Sequence, residues 1–246
     1  MQKNFKLIIE YDGTDYHGWQ RQKKVATIQE TIESAIKIMT DQPVTLIGSG
    51  RTDAGVHSLG QVANFKLATK LTPLVFKKGL NSLLPPDIVI KDVEQAPDSF
   101  HARYDCKGKC YQYHILNREI LSAIHRRFEW HIRRPLSIEA MKDSLLCLKG
   151  EHDFSAFEAA GSDCKNAVRI VSDIGLDAHK DGKLIFSIFA NGFLRHMVRN
   201  IVGTLVDVGI GRITPKGFNE IFLSENRANA GATAPPQGLF LMKVWY

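Results

Sequence analysis

Segments of strand and helix period follow one another as βαββαβ over residues 1–95, and a similar order recurs toward the C-terminus. No Gly-, Ser- or Pro-rich linker separates the two stretches. These observations predict an α+β chain of two ferredoxin-like (RRM-like) βαββαβ halves, residues 1–104 and 105–246. The halves would fuse into one extended, antiparallel-type sheet with helices on one face and a central active-site cleft. Only the architecture repeats; the two halves share no sequence repeat. A length of 246 residues suits one or two domains with a sizeable core.

The first strand is Phe5–Tyr11, where Phe5, Leu7, Ile9 and Tyr11 fall on one face at period two. Thr27-Ile-Gln-Glu30 is a capping box, and Ile28, Ile32, Ala35, Ile36 and Met39 continue it as a helix over about 28–40. Val44–Ile47 and Gln61–Leu67 read as strands joined by a Gly-rich loop. Thr72-Pro73 opens a second helix on Leu74, Leu80, Leu83 and Leu84, stopped by Pro85-Pro86. Ile88–Val93 is the next strand. In the second half, Lys109–Leu116 alternates Tyr111, Tyr113 and Ile115 as a strand. A short strand is flanked by Arg126-Arg127 and Arg133-Arg134, and Ser137 caps a helix carrying Ile138, Met141, Leu145 and Leu148. Val168–Leu176 and Leu184–Ala190 follow as strands, then a helix over Arg195–Val208, a shorter one from Thr214-Pro215, and a closing strand Leu239–Tyr246.

Lys and Arg number 32 against 26 Asp and Glu, a net charge of +6, which permits a polyanionic partner without requiring one. Apolar residues at 44% and charged residues at 24% exclude a disordered chain. No apolar run approaches the roughly 18 residues of a membrane helix. The opening Met1-Gln-Lys-Asn-Phe-Lys-Leu is too polar for a signal peptide, so the expected location is the cytoplasm, with no membrane partner. Four cysteines, Cys106, Cys110, Cys147 and Cys164, are too few and scattered for a disulfide framework. Cys106 and Cys110 lack the second pair that a zinc site needs, so no metal is expected. His152-Asp153 likewise lacks the further His and Asp of a metal-dependent phosphohydrolase. The sheet also lacks the aromatic pattern of a conventional RNA-recognition motif.

The densest segment is Gly48-Ser-Gly-Arg-Thr-Asp-Ala-Gly-Val-His57, between two predicted strands. It has no Gly-Lys-Ser/Thr for a Walker loop, and Asp53 stands where a dinucleotide fingerprint needs glycine. What remains is a glycine-bounded loop presenting Arg51 and Asp53 two residues apart. A surface ion pair closing a turn is one reading. A ligand-approaching loop with a catalytic carboxylate is the other, since glycines admit close contact and loops on a rigid scaffold carry function.

Residues 48–65, Gly-Ser-Gly-Arg-Thr-Asp-Ala-Gly-Val-His-Ser-Leu-Gly-Gln-Val-Ala-Asn-Phe, resemble the signature of the tRNA pseudouridine synthase A family. Further segments in the family's order are Tyr11-Asp-Gly-Thr-Asp-Tyr-His-Gly-Trp-Gln20, Phe100-His-Ala-Arg-Tyr104 and Lys109-Cys-Tyr-Gln-Tyr113. Gly150-Glu-His-Asp-Phe154, Phe193-Leu-Arg-His-Met-Val-Arg-Asn-Ile-Val-Gly203 and Ala234-Pro-Pro-Gln-Gly-Leu239 complete the set. Ser58 departs from it, standing where alanine is usual, and Cys164-Lys-Asn-Ala-Val168 is less polar than a tRNA-contacting stretch of the family.

The resemblance implies isomerisation of uridine to pseudouridine at positions 38, 39 and 40 of the tRNA anticodon stem-loop, by a homodimer without a small-molecule cofactor. The C1′–N1 bond breaks, the uracil turns, and C1′ bonds to C5, so neither redox carrier nor phosphate donor is required. By resemblance the catalytic group is Asp53; attack on the sugar, attack on the base and proton abstraction are all open to a carboxylate. A paired uridine must first leave its stack, and Arg51 is the family's candidate for filling the gap. A simple ion pair with Asp53 is the competing reading of Arg51. Tyr111 resembles the tyrosine that packs on the target base, although on its own it reads as a core residue. Arg199 sits among Val198, Ile201 and Val202, where an arginine is costly to bury alone. It is expected to meet a carboxylate, with Asp53 the candidate, or else to snorkel to the surface. Phe100, His101, Arg103 and Tyr104 are expected RNA contacts. The rival reading from another class is a non-catalytic RNA-binding module, and a metal-dependent hydrolase stands third.

Overall fold

The computed structural model describes residues 2–162 and 166–246. Lys165 and Cys164, part of the less polar stretch noted above, lie outside the described residues. Among the described residues the chain is mixed α+β, with five α-helices and ten strands paired almost throughout in antiparallel fashion. In chain order they are β1 (Gln2–Tyr11), α1 (Ile28–Thr40), β2 (Ile47–Gly48), β3 (His57–Ala68), α2 (Pro73–Leu83), β4 (Ile88–Ala96) and β5 (Gly108–Asn117). Then follow β6 (Trp130–Ile132), α3 (Ile138–Leu145), β7 (Gly150–Asp153), β8 (Val168–Ala178), β9 (Lys183–Ala190), α4 (Met197–Gly209), α5 (Pro215–Leu223) and β10 (Leu239–Trp245). No described helix is long and apolar enough to cross a membrane.

Internal packing divides the chain into two compact units. One runs to Lys107 and takes back residues 240–246; the other spans Gly108–Leu239. The closing strand therefore packs with the N-terminal unit, whereas the sequence places it with residues 105–239.

In the N-terminal unit β1 is central, with β4 on one side and β3 on the other, and β2 pairs with the far side of β3. β10 runs parallel to the start of β3, Phe240 opposite His57 and Leu241 opposite Ser58. Phe5, Leu7 and Ile9 of β1 and Ala63, Phe65 and Leu67 of β3 form one core with Ile28, Ile32 and Ile36 of α1 and Phe76 and Leu80 of α2. Three rings lock it: Phe5 lies 5.4 Å from Phe65 and 4.7 Å from Phe76. The Thr27 hydroxyl accepts the Glu30 N–H, which fixes where α1 begins.

Two sequence expectations change here. The strand expected at Val44–Ile47 shrinks to Ile47–Gly48. Leu46 spends its backbone elsewhere: its N–H donates to Glu33 and its carbonyl accepts from Gln29, both on α1. Helix α2 turns a different face inward. Leu74 and Leu83 are exposed, while Phe76, Leu80 and Leu84, four residues apart, are buried.

In the second unit β5, β9, β8 and β7 pair successively antiparallel, and β6 runs parallel to β5. Strand β7 carries no period-two signal in the sequence. Helix α4 is buried along almost its whole length and packs against α3 and α5. It begins at Met197, two residues later than the sequence suggests, because His196 has φ +61° and breaks the helical path. Phe154, Phe157, Phe218 and Phe222 form a second aromatic cluster beneath it, with Phe154 and Phe222 5.2 Å apart.

Phe76→Ala removes the ring that closes the first core. It is expected to cost about 3–5 kcal/mol in urea unfolding of the N-terminal unit. A cost below about 1 kcal/mol would contradict the packing described.

Candidate active site

Asp53 lies on the loop that joins β2 to β3, and this loop is gripped by the loop that leaves β1. Thr52 is the contact point. Its carbonyl accepts the Trp19 N–H at 3.1 Å, and its hydroxyl shares a 2.8 Å hydrogen bond with the Tyr11 phenol. Burial pushes the Tyr11 phenol up from its ordinary value, against the lowering effect of hydrogen bonds to Thr52, Gln61 and Ser58. The group therefore stays an O–H. Next along, Gly55 N–H donates to Tyr16 O at 3.3 Å and Val56 N–H to Asp53 O at 3.2 Å. At the loop's other end Ser49 N–H donates to Val62 O at 2.7 Å, and its hydroxyl donates to Gln61, whose amide reaches Gly50 O at 3.0 Å.

Glycines make the interlock possible, though not as the sequence suggests. Gly18 has φ +86°, and a Cβ there would stand 2.5 Å from the Thr52 carbonyl. The space beside Gly48 is filled by Trp19, whose Nε1 would lie 2.5 Å from an added Cβ. At that position the glycine admits the protein's own indole, not a ligand. Trp19 is correspondingly buried, with Tyr11 as ring neighbour at 6.2 Å.

His57 closes the loop from below. It is 1% exposed, and its ring stacks on Phe240 at 4.8 Å. Nδ1 lies 3.1 Å both from Gly13 N and from an Asp12 carboxylate oxygen. A backbone N–H can only donate, so Nδ1 is the acceptor of the Gly13 bond. The Asp12 oxygen is meanwhile occupied by the amide and hydroxyl of Thr14. The contact with Asp12 is thus one of proximity and not an ion pair.

On this frame Asp53 is half-buried and Arg51 exposed. Arg51 donates from Nε to Gln20 Oε1 at 3.3 Å.

The segment after β4 alternates between inward and outward residues. Phe100 packs on Tyr246 with ring centroids 4.9 Å apart, under the Lys6 ammonium at 5.4 Å. Ala102 is fully buried; its N–H donates to Asn64 and its carbonyl accepts from Tyr246. His101, Arg103 and Tyr104 turn outward. The His101 ring stacks on Tyr104 at 4.2 Å, and its Nδ1 accepts both the Arg103 and Tyr104 N–H groups at 3.2 Å. Tyr104 is 77% exposed, an unusual state for a tyrosine held so firmly.

In the second unit Tyr111 is buried on β5, edge-on to Phe193 at 4.9 Å. Tyr113, two residues on and on the same face, donates its phenol to Pro235 O at 2.7 Å. Arg199, in the first turn of α4, is half-buried and donates from Nε to Ala234 O at 2.8 Å, while Ala234 N–H returns a bond to Arg199 O at 3.0 Å. Burial pushes the Tyr113 phenol up, and the Arg199 charge opposes that rise. Arg199 and the face of β5 that bears Tyr111 are thus tied together through residues 234–235. Cys110, beside Tyr111, has its thiol pushed up to about 11, by burial first and by the Asp173 charge second, so it is not a reactive nucleophile.

Tyr11, Thr52, Gln61 and His57 are the loop supports that the sequence left as core or motif residues. Their only signal was membership of the two Gly-rich segments now seen to interlock.

The family model described as tRNA pseudouridine synthase matches residues 7–105 and 147–246. The chain is 49% identical over 244 residues to a protein of Thermoanaerobacter sp. (strain X514), covering 99% of this chain and 100% of that one. It is 48% identical to a protein of Acetivibrio thermocellus and 48% identical to one of Geotalea uraniireducens, again across 99% of this chain and 100% of theirs. All three relatives are named tRNA pseudouridine synthase A.

Gly18→Ala places a side chain against the Thr52 carbonyl in a backbone conformation L residues rarely adopt. It is expected to cost about 1–3 kcal/mol in equilibrium unfolding. A change within about 0.5 kcal/mol would mean that the two loops do not interlock here.

Proposed function

We propose, because this chain belongs to the tRNA pseudouridine synthase family and so isomerises uridine to pseudouridine in tRNA, that its targets are uridines 38, 39 and 40 of the anticodon stem-loop, with Asp53 as the catalytic carboxylate. The observation that carries this reading is the clamped loop, which fixes the backbone on both sides of a half-buried carboxylate and leaves an arginine exposed beside it. Preorganisation of that kind serves a reaction in which one group must meet one atom. The reaction conserves atoms and electrons: the N1–C1′ bond breaks, C5–C1′ forms, C5 loses a proton and N1 gains one. A carboxylate can act as nucleophile or as proton carrier in that sequence.

Arg51, exposed and long, takes the space that the extruded uridine vacates and meets the adjoining phosphate. Tyr111 supplies a ring for the flipped base, worth about 1–3 kcal/mol of stacking. Arg199, steadied by Ala234, supplies a cation for binding the substrate. The outward trio His101, Arg103 and Tyr104 contacts the RNA, with Phe100 anchoring the segment to the unit's own core. The family resemblance further supports a homodimer working in the cytoplasm and two ferredoxin-like halves, with no small-molecule cofactor and no metal.

Tritium release from tRNA labelled at uridine C5 tests the reading, since bonding C5 to C1′ expels that hydrogen. Wild-type protein is expected to release tritium with a chelator present. Asp53→Asn should bind the tRNA yet release it slower by a factor on the order of 10³ or more. Arg51→Ala should keep the fold and lose about 10–100-fold on folded stem-loops. Robust turnover by Asp53→Asn would sink the assignment of the catalytic group.

A further inference from the structure

Arg51 is exposed, and the acceptor it meets, Gln20, is itself held by a chain of side chains that ends inside the protein. Glu33 of α1 is buried and its carboxylate only accepts: Oε1 takes Gln29 Nε2 at 2.8 Å and Leu46 N at 2.8 Å, and Oε2 takes Arg21 Nη1 at 3.1 Å. The Gln29 NH₂ group is thereby committed to Glu33 and to Leu46 O at 3.2 Å. Its carbonyl is left to accept, and it does so from Gln20 Nε2 at 2.8 Å and from Arg21 N at 3.0 Å. That uses the donor end of Gln20 and turns its oxygen outward, where Arg51 Nε donates to it at 3.3 Å. Every bond in the chain runs the same way, from the surface arginine to the buried carboxylate.

We propose that Gln20 is a positioning residue for Arg51: oriented by Gln29 and Glu33, it holds the guanidinium beside the Asp53 loop in the RNA-free protein and yields it to the stem-loop when the uridine leaves its stack. The inference rests on the role given to Arg51 above. The chemistry of position 20 fits a temporary hold. A neutral amide at 3.3 Å binds a guanidinium more weakly than a carboxylate or phosphate does, so RNA phosphate displaces it readily. Gln20 also follows Trp19 directly, whose N–H grips Thr52. The same turn thus sets the backbone of the loop and the resting place of its cation. A merely structural Gln20 would tie its turn to α1 and affect all substrates alike.

The test is Gln20→Met, which keeps length and removes both hydrogen bonds, assayed by single-turnover pseudouridine formation. Two RNAs are used: an anticodon stem-loop with the target uridine paired, and the same stem-loop with that uridine facing a mismatch. The slowing on the paired RNA is expected to exceed that on the mismatched RNA by about five-fold or more, because only the paired base needs Arg51 in place to leave the stack. The double variant Gln20→Met/Arg51→Ala should be no slower than Arg51→Ala alone. In the RNA-free protein the Arg51 Nε–H resonance, observed with ¹⁵N-arginine, should shift and lose exchange protection in Gln20→Met. Equal slowing on the two RNAs, multiplicative effects in the double variant, or an unmoved Nε–H resonance would each overturn the proposal. Failure of wild type to convert either RNA would overturn the functional reading instead, and the resonance would still report on the Gln20–Arg51 contact.

Discussion

Thr52 is held from two directions, by the Trp19 amide donating to its carbonyl and by the hydrogen bond its hydroxyl shares with the Tyr11 phenol, and the rest of the site depends on that double hold. A loop between two strands would otherwise sample many conformations, at a cost of roughly 1–2 kcal/mol for each residue fixed. Here the cost is offset by burial of Trp19 and Tyr11 in the same core that unites β1, β3, α1 and α2. The carboxylate next to Thr52 inherits the rigidity of that core without entering it. Rigidity in the support and partial exposure in the group supported are what a reaction on a large nucleic acid requires.

The second unit shows the same economy with different parts. Residues 234–235 are held by Arg199 through one carbonyl and by Tyr113 through the next. An arginine in the first turn of a buried helix is costly unless its donors are used, and the Ala234 carbonyl uses one of them. The arrangement also fixes which way the side chain leaves the helix. Tyr111 then stands on the β5 face that this bracket stiffens, its ring oriented by Phe193.

How much of this was legible in the sequence varies with the range of the forces involved. Helix α1 could be read to its ends, because a threonine cap and an apolar stripe are local signals. The faces of β1 and β5 followed from period two in the same way. The strand expected at Val44–Ile47 misled, since the Leu46 N–H and carbonyl go to Glu33 and Gln29, and no local pattern announces a side chain that competes with a strand. Helix α2 misled for a related reason: leucine content suggested one stripe, and Phe76 decided another through its contact with Phe5. The return of β10 to the N-terminal unit depends on pairing with β3, 183 residues away, which spacing cannot reveal. Motif context singled out the loop that carries Asp53 and Arg51, whereas the interlock that holds that loop and the hydrogen-bond chain behind Gln20 exist only in three dimensions. The net charge of +6 is a whole-chain number and says nothing of where an arginine stands.

In the proposed reaction the loop clamp fixes the Asp53 carboxylate in one productive place. Asp53→Glu tests it most directly, since it keeps the charge and the chemistry and moves the carboxylate outward by one methylene. Single-turnover pseudouridine formation on a folded anticodon stem-loop, with tRNA binding measured alongside, is the measurement. A rate loss of about 10²-fold or more with binding retained is expected, because a rigid loop cannot draw the longer side chain back. A rate within a few-fold of wild type would contradict it, and would show that the carboxylate needs only to be near the uridine.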